Sequence, residues 1–182
     1  VTLFKKRIKF SHIYRWSTDS RMEHSLVLHN QTDTAWTTGP CLAMSEGRPL
    51  TEDLISYTPK SGNGNLTMTA AINIANDKTE REYDRQLKAY NASSNSNNYW
   101  YDLVTLEGDL ILKNFEKREV EIAITCPMPG KPIEASDDGK ISVDPNQLKL
   151  DERAGTATWR IKLQPNEEKH LTYKYERYVK SY

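Results

Sequence analysis

"REVEIAITC", residues 118–126, decides the fold class. Val120, Ile122, Ile124 and Cys126 alternate with Glu119, Glu121, Ala123 and Thr125. A period of two is that of a strand with one face buried and one face wet. Just upstream, "GDLILKN" (108–114) puts Leu110 and Leu112 on one parity, and "NFEKR" (114–118) reads as the turn of a hairpin joining the two runs. The end of the chain repeats the pattern. In "TATWRIKL" (156–163), Trp159, Ile161 and Leu163 share a face; "QPNEE" (164–168) turns, and "KHLTYKYERYV" (169–179) returns with Leu171, Tyr173 and Tyr175 inward.

Working outward, shorter strands are expected at 23–30, 40–45, 52–57, 65–75 and 99–106. "SDDGK" (136–140) is an Asp-Gly hairpin signal ahead of "ISV". "TPKSGNGN" (58–65) and the polar "NASSNSNN" (91–98) read as loops, the second as the least ordered part of the chain. "NDKTEREYDRQLKAY" (76–90) is ambiguous. Tyr83, Leu87 and Tyr90 have helical spacing, with Asp77 as a cap, whereas period two groups Tyr83, Leu87 and Ala89 with Arg81 and Arg85 as on an edge strand. Frequent turns and at most one short helix point to an all-β fold, an antiparallel β-sandwich of immunoglobulin/fibronectin-like type. Residues 1–182 are expected to form it as one domain.

The chain has 182 residues and a mass of 21.0 kDa, enough for a sizeable core. Twenty-five basic residues balance twenty-five acidic ones, so no net field draws nucleic acid or an anionic membrane. No apolar run approaches the ~18 residues of a membrane span. Residues 1–16 carry Lys5, Lys6, Arg7, Lys9 and Arg15 without an acid, and Phe4, Ile8, Phe10, Tyr14 and Trp16 share one parity. That describes a strand with a basic outer face. The chain opens already inside this run, which reads as the C-terminal piece of something longer; an edge left free there would invite pairing between copies.

"HSLVLHNQTDTAWTTGPCL" (24–42) brings His24, Ser25, His29 and Asp33 within ten positions. Parity separates them: His24 and His29 point to opposite faces of a strand, and so do His24 and Ser25. Leu26 and Leu28 are expected in the core. Neither a metal site nor a nucleophile–base pair is expected here. "SGNGN" lacks the Lys of a phosphate loop, and Asp137, Asp138 and Asp144 lack calcium-loop spacing. Cys41 and Cys126 sit in strands with no CxxC, which favours free thiols over a disulfide. Sequons at Asn30, Asn65 and Asn91 are close to the roughly two that chance produces, and carry no weight. No catalytic residue, metal or cofactor is expected. Trp16 and Trp159 follow core parity. The binding candidates are Trp36 and Trp100, beside turns, with Tyr99 and Tyr101, because exposed aromatics anchor partner proteins or stack on sugars.

Five segments in order, "IYRW" (13–16), "HSLVLHNQTDTAWTTGPCL" (24–42), "RPLTEDLISYTPKSGN" (48–63), "GDLILKN" (108–114) and "TWRIKLQPNEEKHLTYKYERYV" (158–179), carry a family likeness. Together they resemble the C-terminal domain of unknown function of mucoidy-inhibitor-A-like bacterial proteins. The resemblance covers nearly the whole chain. It implies a β-sandwich, a coiled-coil region ahead of it in the full protein, an extracytoplasmic setting in the periplasm or cell envelope, and an extended conformation for 77–90. It brings no active-site residue. The expected function is a non-enzymatic interaction or structural module of a bacterial envelope protein, with protein partners (self or envelope components). A carbohydrate-binding module using the exposed aromatics is the alternative, and a hydrolase assembled from distant strands the second.

Overall fold

The computed structural model describes residues 6–94, 97–144 and 149–181. Twelve strands form three sheets: β1 (Lys9–Ser17), β2 (Glu23–His29), β3 (Gly39–Ser45), β4 (Arg48–Ile55), β5 (Asn63–Ala70), β6 (Ile74–Ser94), β7 (Asn97–Asn114), β8 (Val120–Met128), β9 (Lys131–Ala135), β10 (Lys140–Val143), β11 (Gly155–Leu163) and β12 (Glu168–Lys180). A single 3-10 turn (Leu150–Glu152) is the only helical element among the described residues. One sheet has the order β10-β11-β8-β1-β2-β5, the second β6-β7-β12-β9, and β3-β4 is a separate hairpin. The protein is therefore all-β. The first two sheets pack face to face: Tyr14, Trp16, Ile122, Ile124 and Trp159 from one meet Leu110, Leu112, Leu171 and Tyr173 from the other in a single buried cluster.

The expectation of a purely antiparallel arrangement is corrected. β1 runs parallel to β8, with Tyr14 beside Ile122 and Trp16 beside Ile124. It is also an interior strand, between β8 and β2, so the expected free edge at the first strand does not exist. Phe10 is exposed and Phe4 lies outside the described residues.

The two expected hairpins are corrected as well. β7 belongs to the four-stranded sheet and β8 to the six-stranded one, and the same holds for β12 and β11. "NFEKR" and "QPNEE" are crossings between layers. Two neighbouring strands with one apolar face each satisfy that face equally well side by side or across a core, and here they do the latter. "SDDGK" behaves likewise, carrying the chain from β9 to β10 across the layers. Its positive φ angles fall on Asp137 and Asp138.

Asn114 ties two of these crossings together. It is fully buried at the end of β7. Its Nδ2 donates to the carbonyls of Arg118 (2.9 Å), Leu163 (3.1 Å) and Gln164 (3.0 Å), and its Oδ1 accepts from the Glu116 N–H (2.8 Å). Asn30, at the end of β2, is built the same way. Its Nδ2 reaches the carbonyls of Thr34, Thr58 and Pro59, and its Oδ1 takes the N–H of Thr32. Buried in this role, the Asn30 side chain is not presented as a glycosylation acceptor.

Residues 76–90 are strand, and two bulges explain why periodicity left them open. The β6–β7 register slips between Glu82 and Asp84, and again between Gln86 and Tyr90. Each slip resets the parity, so neither a period of two nor one of 3.6 runs through. The expected loop at 91–98 is corrected. β6 reaches Ser94 and β7 starts at Asn97, paired residue for residue, with 95 and 96 outside the described residues. A ladder already formed on both strands continues through polar residues, because its bonds are backbone bonds.

Candidate functional site

β6 and β7 are 21 and 18 residues long, whereas the strands of the six-stranded sheet have at most nine. Together with the end of β12, the long hairpin therefore runs past the shared core. Its register fixes which side chains share a face. Tyr101 lies between Tyr90 on β6 and Lys180 on β12, Leu103 between Gln86 and Tyr178, and Tyr99 opposite Ala92. Tyr90, Tyr99, Tyr101 and Tyr178 thus stand together on the face turned away from the six-stranded sheet.

The rings pack on one another. Tyr90 is 6.2 Å from Tyr101 at 45° and 5.8 Å from Tyr178 at 63°. Lys180 Nζ sits 4.1 Å from the Tyr99 ring centroid, and Lys174 Nζ 4.7 Å from that of Tyr83, the bulged residue further down the same face. Among the described residues the hydroxyls of Tyr90, Tyr99, Tyr101 and Tyr178 have no protein partner; Tyr90 and Tyr99 are more than a third exposed. Toward the core end the same face changes character. Lys174 and Arg81 meet Glu107, and His170 Nδ1 lies 2.7 Å from Asp109. That carboxylate raises the His170 pKa above its usual value, first through the hydrogen bond.

Trp100 does not join the tyrosines. Its cross-strand partner is Asn91, on the opposite face. The parity test that separates His24 from Ser25 separates Trp100 from Tyr99 and Tyr101. Behind the tyrosines, that opposite face is held by Asp102, which accepts from the Ser181 hydroxyl, the Lys88 N–H (2.9 Å) and Arg85 Nη1 (2.9 Å). These donors hold its carboxyl below the ordinary carboxylate value, the Ser181 bond most strongly. They also fix the second bulge, where Lys88 has φ +51°. Trp36 is elsewhere: it forms an isolated bridge with Thr58, and its Nε1 donates to Thr32 Oγ1 at 3.3 Å. It braces the Asn30 turn. Sequence reading missed Tyr90 and Tyr178; the i, i+2 spacing of Tyr99 and Tyr101 was the available signal, and the hairpin pairing would have supplied Tyr90.

A second polar cluster surrounds His24, and its other members escaped the sequence reading. β1–β2 pairing sets Tyr14 opposite His24 and brings His12 diagonally near. His12 Nδ1 is 2.8 Å from His24 Nε2, and Arg118 Nη2 lies 3.1 Å from both His12 Nδ1 and the Tyr14 hydroxyl. Tyr14 in turn donates to Glu116 Oε1 at 3.2 Å. Arginine only donates, so His12 Nδ1 accepts, and the His24 contact is satisfied when His24 Nε2 carries its proton. Both imidazoles are thus kept neutral. Burial, the Arg118 cation and His24 bring the His12 pKa from 6.5 down to about 4, and burial and Arg118 lower His24, with Glu116 opposing in each case. The cluster holds no nucleophile: Ser25 is buried and, next to His24 in the strand, is turned to the other face. His29 bonds Asn63 instead, at 2.7 Å.

Because the unfolded chain takes up these protons at higher pH than the folded one, stability is full above about pH 6.5 and falls as pH drops toward 4. His12→Gln is expected to flatten that decline. Urea midpoints for both proteins at neutral pH and at pH near 5 check this; an equal acid shift in the two would refute it.

Cys41, on β3, and Cys126, buried on β8, are both free. Among the described residues no three His, Cys, Asp or Glu side chains converge as a metal site requires. Among the described residues no helix is long and apolar enough to cross a membrane. What stands out is a β module with an aromatic outer face on an overhanging sheet. No family model matches the chain, and no curated protein or solved structure matches it either.

Proposed function

We propose that this chain is a non-enzymatic interaction module that docks a partner protein on the tyrosine face formed by Tyr90, Tyr99, Tyr101 and Tyr178. The observation that carries the reading is the placement of these rings. They stand outside the shared core, on rigid paired strands, with hydroxyls free to bond. Tyrosine offers a partner large amphipathic contact area at small entropic cost. The matching surface presents aliphatic side chains to the rings and carbonyl or carboxylate oxygens to the hydroxyls and to Lys180. The rings lean on each other at 45° and 63°, which favours a protein over sugars stacked on coplanar faces.

A bacterial-envelope setting belongs to the same proposal and is supported by the motif resemblance alone. Kinship with immunoglobulin/fibronectin-like sandwiches belongs to it too, supported by two sheets sharing one interior.

The test substitutes Tyr99, Tyr101 and Tyr178 by Ser. Tyr99 is exposed and Tyr101 and Tyr178 are half-buried outside the main core, so each substitution is expected to cost about 1–2 kcal/mol and to leave the fold intact, which circular dichroism checks. Cross-linking from envelope extracts is expected to recover one or more defined proteins with the native chain and to lose them with the variant. A Leu42→Ser/Leu54→Ser control on the separate hairpin is expected to keep them. Undiminished capture by the tyrosine variant would end the proposal, as would a glycan array on which the native chain binds and the variant does not.

A further inference from the structure

The two larger sheets have four outer edges, and three of them are guarded. β5 is covered by the β3–β4 hairpin, where Thr51 Oγ1 donates to the Thr67 carbonyl and the Thr67 N–H donates to Asp53. β6 is broken by its two bulges and lined with Lys78, Arg81, Arg85 and Lys88. β9 carries Pro132 and a register slip against β12. Bulges, prolines and charges are the usual protections of a strand edge. β10 has a regular ladder to β11 and, among the described residues, no strand paired on its other side, and its four residues are all exposed.

Its register shows which backbone groups are unused. Lys140, Ser142 and Asp144 face β11 with their polar groups, as the Asp144 N–H to Ala154 carbonyl bond at 3.0 Å demonstrates. In an antiparallel ladder the intervening residues, Ile141 and Val143, then direct N–H and C=O outward. Their side chains share the inward face with Ala157 and Gly155, which are buried, yet Ile141 and Val143 are 44% and 47% exposed. Among the described residues this edge has two backbone donors and two acceptors without a partner and two uncovered β-branched side chains, the signature of an edge that lacks a strand.

We propose that the missing strand is β10 of a second copy of this chain, paired antiparallel about a two-fold axis through Ser142. In that register Ile141 of one copy pairs with Val143 of the other, the only residues with outward groups, so four N–H···O bonds form. The four β-branched side chains come together on one face. Lys140 falls opposite Asp144 of the other copy, and a carboxylate has acceptor capacity for this ammonium besides its other contacts. Slipping the register by two residues loses one of these matches: one slip sets Val143 against itself and leaves Ile141 without a partner among residues 140–144, and the other sets Lys140 against Ser142. The result is a continuous sheet across two molecules, leaving the tyrosine faces free.

Cross-linking tests the register directly. Ser142 would face its own copy across a non-hydrogen-bonded pair, with Cα atoms about 4.5 Å apart, within reach of a disulfide. Two copies of residue 140 would be about 14 Å apart, four strand residues, and out of reach. In a Cys41→Ser background, Ser142→Cys is expected to form disulfide dimers under mild oxidation at least about tenfold faster than Lys140→Cys. Sedimentation of the native chain is expected to show dimer increasing with concentration. Lys140→Glu is expected to weaken the dimer and Lys140→Glu/Asp144→Lys to restore it, with circular dichroism confirming that each variant is folded. Equal oxidation rates at 142 and 140, or a native chain that stays monomeric at the highest concentration reached, would overturn the proposal.

Discussion

Asn114→Ala is expected to lower stability by about 3–5 kcal/mol, a large share of the roughly 5–15 kcal/mol by which a domain is stable. The side chain is fully buried and serves two crossings at once. One amide group faces the carbonyls of Arg118, Leu163 and Gln164, and one oxygen takes the N–H of Glu116. Its backbone adds bonds to Glu167 and Asn166. Truncation leaves several interior polar groups without partners, which costs more than the lost bonds contribute. Asn114→Asp separates shape from chemistry. It keeps the acceptor but sets a carboxylate against three carbonyl oxygens, so it is expected to be nearly as unstable at neutral pH and to recover in part, relative to Ala, on acidification. Urea unfolding measures both. A loss below about 1 kcal/mol for Ala would mean that the crossings do not depend on this residue.

Gly108→Ala is the second large effect, expected at about 2–4 kcal/mol. Gly108 sits directly opposite Tyr173 on β12, and the phenol ring lies over it. A Cβ there would overlap Tyr173 Cζ and its hydroxyl. The ring cannot simply swing aside. It stacks on Tyr175 at 6.4 Å, touches Trp159, and donates to Glu80 Oε1 at 2.6 Å. Burial and the Glu80 bond push the Tyr173 phenol well above its ordinary pKa, so it remains a donor throughout the usable pH range. Tyr173→Leu is expected to be destabilising alone, and less than additive with Gly108→Ala, because the shortened side chain vacates the space the methyl needs. A double-mutant cycle in thermal unfolding checks the coupling. Strict additivity would show that the ring and the glycine do not constrain one another.

These two residues also mark where the sequence was legible. The inward parity of β8, β11 and β12 could be read directly, because alternation reports burial and burial here is one-sided. Trp16 and Trp159 fell on that parity and are core. Which sheet a strand joins is not encoded by alternation, so "NFEKR" and "QPNEE" read as hairpins. The overlooked hint was Asn114 itself, a polar residue continuing the parity of Leu110 and Leu112, as Asn30 continues that of Leu26 and Leu28. Of those two leucines Leu28 is buried and Leu26 only partly so. Of the four aromatics named from the sequence, Tyr99 and Tyr101 share a face, Trp100 takes the other, and Trp36 supports a turn. Tyr90 and Tyr178 were hidden because bulges shift phase and because pairing across strands is a long-range property.

The parallel contact between β1 and β8 joins residues more than a hundred positions apart in the chain, Tyr14 with Ile122 for instance. Among the described residues four residue pairs make this seam, and it is the sole backbone ladder linking the N-terminal meander to the rest of the six-stranded sheet. A loop that long carries a large closure entropy, and a parallel ladder needs its partner fully made before it can form. During synthesis the N-terminal strands must therefore wait, paired among themselves, with Tyr14 and Trp16 still uncovered, until β8 has been made. The same seam is where amide exchange should divide the sheet into two cooperative units.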